Sequence, residues 1–146
     1  MKIDIQDFGC DKLHLGCGTK RLPGWVNVDL NDTDAVDVNC DILSIDFDEG
    51  VFSEIYACHV FEHLEEDKLV SVLKSCFNWL KPNGAICIAV PTLLHHKVGL
   101  DCLLGGIHVL IEKPIAANEL EAISLIKAAK NSNCLLQVGH IERFNP

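Results

Sequence analysis

Four groups in the first sixty residues have the type and placement to hold a nucleotide-like ligand. Gly16-Cys17-Gly18 is a Gly-x-Gly turn directly after the apolar run Lys12–Leu15. Glycine lets the backbone turn tightly and lets a ligand approach with no Cβ in the way. Asp29 stands eleven positions after Gly18 near the end of the run 25–30, where a carboxylate accepts hydrogen bonds from ribose hydroxyls. Dinucleotide folds use a longer spacing, ~20 residues. Asp41 follows the run 37–40, and His59 follows Phe52–Cys58. Each group also has a plainer reading. A Gly-x-Gly makes an ordinary tight turn, Asp29 is a solvated strand end, and Asp41 is one of many acids beside Asp32, Asp34, Asp37, Asp46 and Asp48. Their succession at strand ends is what points to a ligand. His59 and His63 are four apart and share a helical face. With no third ligand in view they read as a helix start, and no metal site is expected.

The elements that must position these groups alternate. Residues 65–80 carry Leu69, Val70, Leu73, Cys76, Phe77 and Leu80 at helical spacing. The turn Lys81-Pro82-Asn83-Gly84 then launches residues 85–92, read as a buried strand that Pro91 stops. His95–Leu104 is helical with Gly105-Gly106 as its stop, and residues 108–111 form a sixth strand. Residues 117–130 form an amphipathic helix with Leu120, Ile123, Leu125 and Ile126, capped by Asn118 with Glu121 three residues on. Residues 135–138 form the seventh strand. The pattern predicts an α/β fold: a Rossmann-like, doubly wound, mostly parallel sheet of about seven strands in three α/β/α layers. Ligands bind such sheets beyond the carboxyl ends of the strands.

Composition sets the class. The chain has 146 residues, 49% hydrophobic and 23% charged, which is ordinary for one globular domain. Its net charge is −9 and unevenly placed: residues 1–93 hold 7 basic against 16 acidic side chains, residues 94–146 hold 5 of each. An acidic surface without a basic patch argues against a nucleic-acid partner. No apolar run reaches the ~18 residues of a bilayer span. The N-terminus lacks a basic segment followed by an apolar one, so the cytoplasm is the expected compartment. Eight cysteines without a C-x-x-C pair read as buried thiols rather than zinc ligands or a disulfide framework.

Residues 12–93 resemble the class I S-adenosylmethionine (SAM)-dependent methyltransferases, above all the small bacterial type found with sugar and cell-surface pathways. The resemblance lies in Leu13-His14-Leu15-Gly16-Cys17-Gly18, Gly24-Trp25-Val26-Asn27-Val28-Asp29-Leu30, His59-Val60-Phe61-Glu62-His63-Leu64 and Leu80-Lys81-Pro82-Asn83-Gly84-Ala85. It implies that Gly16 and Gly18 line the methionine and ribose of SAM, and that Asp29 holds the ribose hydroxyls. It also implies Asp41 and Ile42 at the adenine, His59 facing the substrate, and a small-molecule acceptor such as a sugar or nucleotide-sugar.

Residues 88–146 resemble a different family, the glucose–fructose oxidoreductase/inositol dehydrogenase-like enzymes. The matching stretches are Ala89-Val90-Pro91-Thr92 with His95-His96, then His108-Val109-Leu110-Ile111-Glu112-Lys113-Pro114-Ile115-Ala116, then Gln137 to Pro146. This resemblance implies that Pro91, Thr92 and His95 border an NAD(P) site, and that Glu112 and Lys113 belong to the same dehydrogenase-type site, the lysine near the nicotinamide and substrate. It covers the second half of that family's nucleotide-binding domain. The charge step and both resemblances change at residues 88–92, where the chain reads as joined from two halves, 1–92 and 93–146, with the second continuing the sheet of the first. The leading expectation is a SAM-dependent methyltransferase. The alternatives are an NAD(P)-binding oxidoreductase fragment and a non-catalytic chimeric nucleotide-binding fold.

Overall fold

The apolar runs around the Gly-x-Gly turn form the centre of a parallel sheet. In the computed structural model, which describes residues 1–139, β1 (Lys12–Leu15) and β2 (Val26–Asp29) are buried along almost their whole length. That is the pattern of strands covered on both faces. β3 (Val38–Asn39) pairs with β2, β4 (Phe52–Cys58) with β1, and β5 (Leu80–Ala89) with β4, all parallel, in the order β3-β2-β1-β4-β5. The chain steps outward from β1 to β3 on one side, then returns to place β4 on the other. The topological switch point therefore lies between β1 and β4.

Contacts divide the chain into two units, Met1–Ala89 and the stretch from Val90 on. In the first, α1 (Glu66–Trp79) buries Leu69, Val72, Cys76 and Trp79. Phe77, expected on that face, is half exposed; the helix is rotated so that Trp79 points inward instead. Trp79 meets Phe47 edge to face at 5.1 Å, and Phe47 meets Phe52 in the same way at 4.9 Å. The indole N–H donates to Asp46 Oδ1 at 3.2 Å, so the largest core side chain leaves no polar atom unsatisfied. Residues 81–84 form a bulge within β5, because Phe52 pairs with Leu80 and Glu54 already with Ala85. Asn83 there has φ +66°. Lys81, carried outward by the bulge, pairs with Asp11 at 2.6 Å. β5 is an edge strand in which Ala85 and Cys87 are exposed and Ile86 and Ile88 are partly buried, so the expectation of a buried strand over 85–92 is corrected: alternate side chains face opposite sides of the sheet, and one of those faces is open here.

The second unit is a βαβ element preceded by a helix. α2 (His95–Leu104) leads to β6 (Val109–Glu112), α3 (Glu119–Asn131) crosses over, and β7 (Leu136–Gly139) pairs parallel with β6. Its core is Leu103, Ile111, Ala116, Leu125, Ala128 and Ala129. Gly99 in α2 lets β6 and α3 approach closely: a Cβ there would lie 2.8 Å from Ile111 Cδ1 and 3.1 Å from Leu125 Cδ2, and those side-chain ends would have to shift. Asn118 Oδ1 accepts from the Glu121 amide at 3.0 Å, and Glu121 reaches back to the Asn118 side chain at 2.8 Å, the reciprocal cap read from the sequence. α3 turns Leu125, Ala128 and Ala129 to the core and leaves Leu120, Ile123 and Ile126 outside. The alanines permit closer approach than the larger side chains.

The fold class is the expected one, α/β with a parallel Rossmann-type sheet. The strand arrangement differs. Among the described residues, β1 to β5 of the first unit form a sheet of five and β6 and β7 of the second form a sheet of two. Residues 140–146 of the second family-like stretch lie outside the described residues.

Candidate functional site

The Gly16–Gly18 turn is fixed from within. The amides of Gly16 and Cys17 both donate to Val28 O, at 2.9 and 3.1 Å, and the Lys20 amide donates to Cys17 O at 2.9 Å. The Gly18 amide donates to Asp29 Oδ2 at 2.7 Å, a charge-assisted bond. Gly16 has φ +68°, and a Cβ there would lie 2.8 Å from the Cβ of Val60. Glycine is therefore needed twice, for the left-handed backbone and for the approach of the loop after β4. Gly18 has φ +55° with open space where a Cβ would stand. That clear face lies beside the Asp29 carboxylate.

Asp29 is 8% exposed. Its second oxygen, Oδ1, accepts from the amide and the side chain of Asn31 at 2.8 and 3.2 Å. Thr33 donates its hydroxyl to Gly18 O at 2.7 Å, tying the loop after β2 to the turn after β1. Next along the sheet, the Cys40 amide donates to Asp29 O at 3.0 Å. Asp41 follows, and its Oδ1 accepts from the Leu43 amide at 2.9 Å. The neighbouring Ile42 is buried. His59 caps the end of β4 with φ +52°, its amide donating to Ala89 O at 3.0 Å. Gly16, Gly18, Asp29 and His59 thus all lie at carboxyl ends of adjacent strands, at the switch point between β1 and β4 and the β2 edge beside it.

A buried polar hub beneath this site was not singled out from the sequence. Asn27 is fully buried. Its Oδ1 accepts from the Leu22 amide at 2.9 Å, and its Nδ2 donates to Leu22 O, Trp25 O and Asp37 Oδ2 at 3.1, 2.9 and 2.9 Å. It holds the helix-free segment between β1 and β2. The signal was present: an amide inside the apolar run Trp25-Val26-Asn27-Val28 must find partners or cost stability. Burial pushes the Asp37 carboxyl up, but hydrogen bonds from Asn27 and from Arg21, the latter at 2.5 Å, outweigh it and hold the group below the usual carboxylate value. His14 Nδ1 lies 3.0 Å from Asn27 Oδ1. That oxygen is an acceptor, so His14 carries its proton on Nδ1. The ring stacks on Tyr56 at 5.2 Å. Burial lowers the His14 pKa against the raising effect of the Asn27 bond and the Asp29 charge.

The dehydrogenase-like residues lie in the second unit. Pro91 is exposed and precedes a 3-10 turn, Thr92–Leu94. His95 Nδ1 donates to Pro114 O at 2.9 Å, so it closes a loop of its own unit. Glu112 Oε2 accepts from the Lys113 amide at 3.3 Å, and its carboxylate backs onto Gly139, where a Cβ would meet Oε1 at 2.8 Å. Lys113 is exposed. Among the described residues no helix is long and apolar enough to cross a membrane.

Two family models match the chain. Residues 13–88 match a methyltransferase domain, and residues 54–140 match an oxidoreductase family with an NAD-binding Rossmann fold. The chain belongs to both families, methyltransferase domain at its start and Rossmann-fold oxidoreductase at its end, with residues 54–88 common to the two matches. Among curated proteins it is 39% identical over 62 residues to UDP-N-acetylglucosamine 3-dehydrogenase of Acidithiobacillus ferrooxidans, covering 42% of this chain and 20% of that one. It is 33% identical over 90 residues to scyllo-inositol 2-dehydrogenase (NADP(+)) of Bacillus subtilis, covering 62% of this chain and 24% of that one. A solved structure of the Acidithiobacillus enzyme covers 92% of this chain and 40% of its own, at 18% identity and a TM-score of 0.45. The chain spans about a fifth to a quarter of the length of these two relatives.

Proposed function

We propose that residues 1–92 form a SAM site and support methyl transfer to a small molecule, a sugar or nucleotide-sugar, in the cytoplasm, and that residues 93–146 are a dehydrogenase-type segment joined to them. The observation that carries this reading is the grouping of the Gly16–Gly18 turn and the Asp29 carboxylate at neighbouring strand ends, linked by the 2.7 Å bond. Gly16 and Gly18 would line the methionine and ribose, Asp29 would receive the ribose hydroxyls, and Asp41 and Ile42 would border the adenine. Bound SAM supplies a methyl group on a positively charged sulfur. The chain's own part is chiefly to hold donor and acceptor in line. A hydroxyl acceptor also requires a base, and His59 at the end of β4 is the side chain proposed to take that proton.

A second reading, an NAD(P)-binding oxidoreductase segment using Pro91, Thr92, His95, Glu112 and Lys113, is favoured by the family match over 54–140 and by the dehydrogenase names of the relatives. Isothermal titration of the full chain with SAM and with NADH separates the two. Micromolar SAM binding that is lost in Asp29→Ala supports the first reading. NADH binding without SAM binding supports the second. Failure to bind either ligand overturns both.

A further inference from the structure

We infer that the Gly16–Gly18 turn selects an adenosyl ligand whose 5′ substituent is neutral or cationic, and that this chain does not hold a dinucleotide by its pyrophosphate. The inference rests on the adenosyl-site reading above and narrows it to a ligand class.

A dinucleotide fold grips its pyrophosphate with outward-facing amides of a glycine turn, at the N-terminus of the helix that follows. Here four consecutive or near-consecutive donors, the amides of Gly16, Cys17, Gly18 and Lys20, are already committed. The amides of Gly16, Cys17 and Lys20 go to main-chain carbonyls of the turn and of β2. The Gly18 amide goes to Asp29. The segment from the turn to β2 contains no helix, so no helix dipole faces the site. The side chain that takes the Gly18 amide is itself a carboxylate, buried at the turn. It repels a phosphate and attracts a sulfonium. The surrounding half of the chain, with its excess of acidic residues, acts in the same direction.

Among the described residues, the second unit supplies no replacement. Its described glycines are Gly99 inside α2, Gly105 and Gly106 after α2, and Gly139 at the end of β7. None of them leads from a strand into a helix among the described residues. The N-terminus of α3 is closed by the Asn118 side chain and carries Glu119 and Glu121 in its first turn. Gly139 faces the Glu112 carboxylate. The described residues therefore do not fit a dinucleotide pyrophosphate, although one family model for the chain is described as NAD-binding.

The test is calorimetric titration of the full chain with S-adenosylhomocysteine, 5′-methylthioadenosine, ADP and NADH. The first two should bind, and ADP and NADH should bind at least about tenfold more weakly, a difference of about 1.4 kcal/mol. In Asp29→Asn, which keeps an oxygen for the Gly18 amide and removes the charge, the gap between methylthioadenosine and ADP should shrink. ADP or NADH binding as tightly as S-adenosylhomocysteine would overturn the inference and leave the adenosyl site standing. No binding of the two sulfur nucleosides would remove the site itself. An unchanged gap in Asp29→Asn would overturn the selecting role of the carboxylate.

Discussion

The Gly18 amide and the Asp29 carboxylate meet at 2.7 Å, so the residue that ends β2 also fixes the turn that ends β1. Asp29 is held in place by Gly18 on one oxygen and Asn31 on the other. Such preorganisation lowers the ordering cost of binding.

Asp29→Ala should therefore lose on two counts. Removing the acceptor leaves the Gly18 and Asn31 amides without it, a cost of about 1–3 kcal/mol in folding stability. SAM affinity should fall in parallel. Urea unfolding measures the first and titration calorimetry the second. Unchanged values in both would show that the bond contributes nothing.

Gly16→Ala should cost about 1–3 kcal/mol from its positive φ alone, with a further penalty from the contact with Val60. A double-mutant cycle with Val60→Gly isolates that contact. The two substitutions should be non-additive, because the double variant removes the clash and keeps only the backbone strain.

Asn27→Asp should destabilise more than Asn27→Ala at neutral pH. The new carboxylate would sit against Asp37 Oδ2, which now accepts from Asn27 at 2.9 Å, and like charges at that distance cannot both ionise comfortably. Lowering the pH should narrow the difference between the two variants. Thermal unfolding at neutral and mildly acidic pH reads it directly.

His14 should remain neutral below its ordinary titration point. Its folded pKa is lowered, so above about 6.5 both folded and unfolded forms are neutral and the group is silent. As the pH falls below that value the unfolded chain takes up the proton first, and stability declines until the folded pKa is passed. NMR titration should place the His14 midpoint below 6.5 with the proton on Nδ1. A midpoint above 6.5 would contradict the burial.

Cys102 should be the slow thiol. Burial pushes its pKa up to about 11, which leaves little thiolate at pH 8. Iodoacetamide should modify the exposed Cys87 well before Cys102, as read by mass spectrometry of the folded chain.

The sequence alone determined the strands, the helices after β4, the Gly-x-Gly turn, the acid at the end of β2, the Asn118 cap and the two family resemblances. These are local matters of periodicity, turn chemistry and motif, legible within a few residues. Tertiary structure decided what depends on partners distant in the chain. Val60 explains why position 16 must be glycine. Val72 and Trp79, rather than Phe77, face inward because α1 packs against one side of a particular sheet. Ala128 and Ala129 displace larger side chains from the α3 core because close packing favours the smaller surface. Asn27, a lone polar residue in an apolar strand, becomes the hub of the β1–β2 segment only when Leu22, Trp25 and Asp37 converge on it. The pairing of β6 with β7 follows from which backbone edges meet, and no local pattern of side chains encodes that meeting.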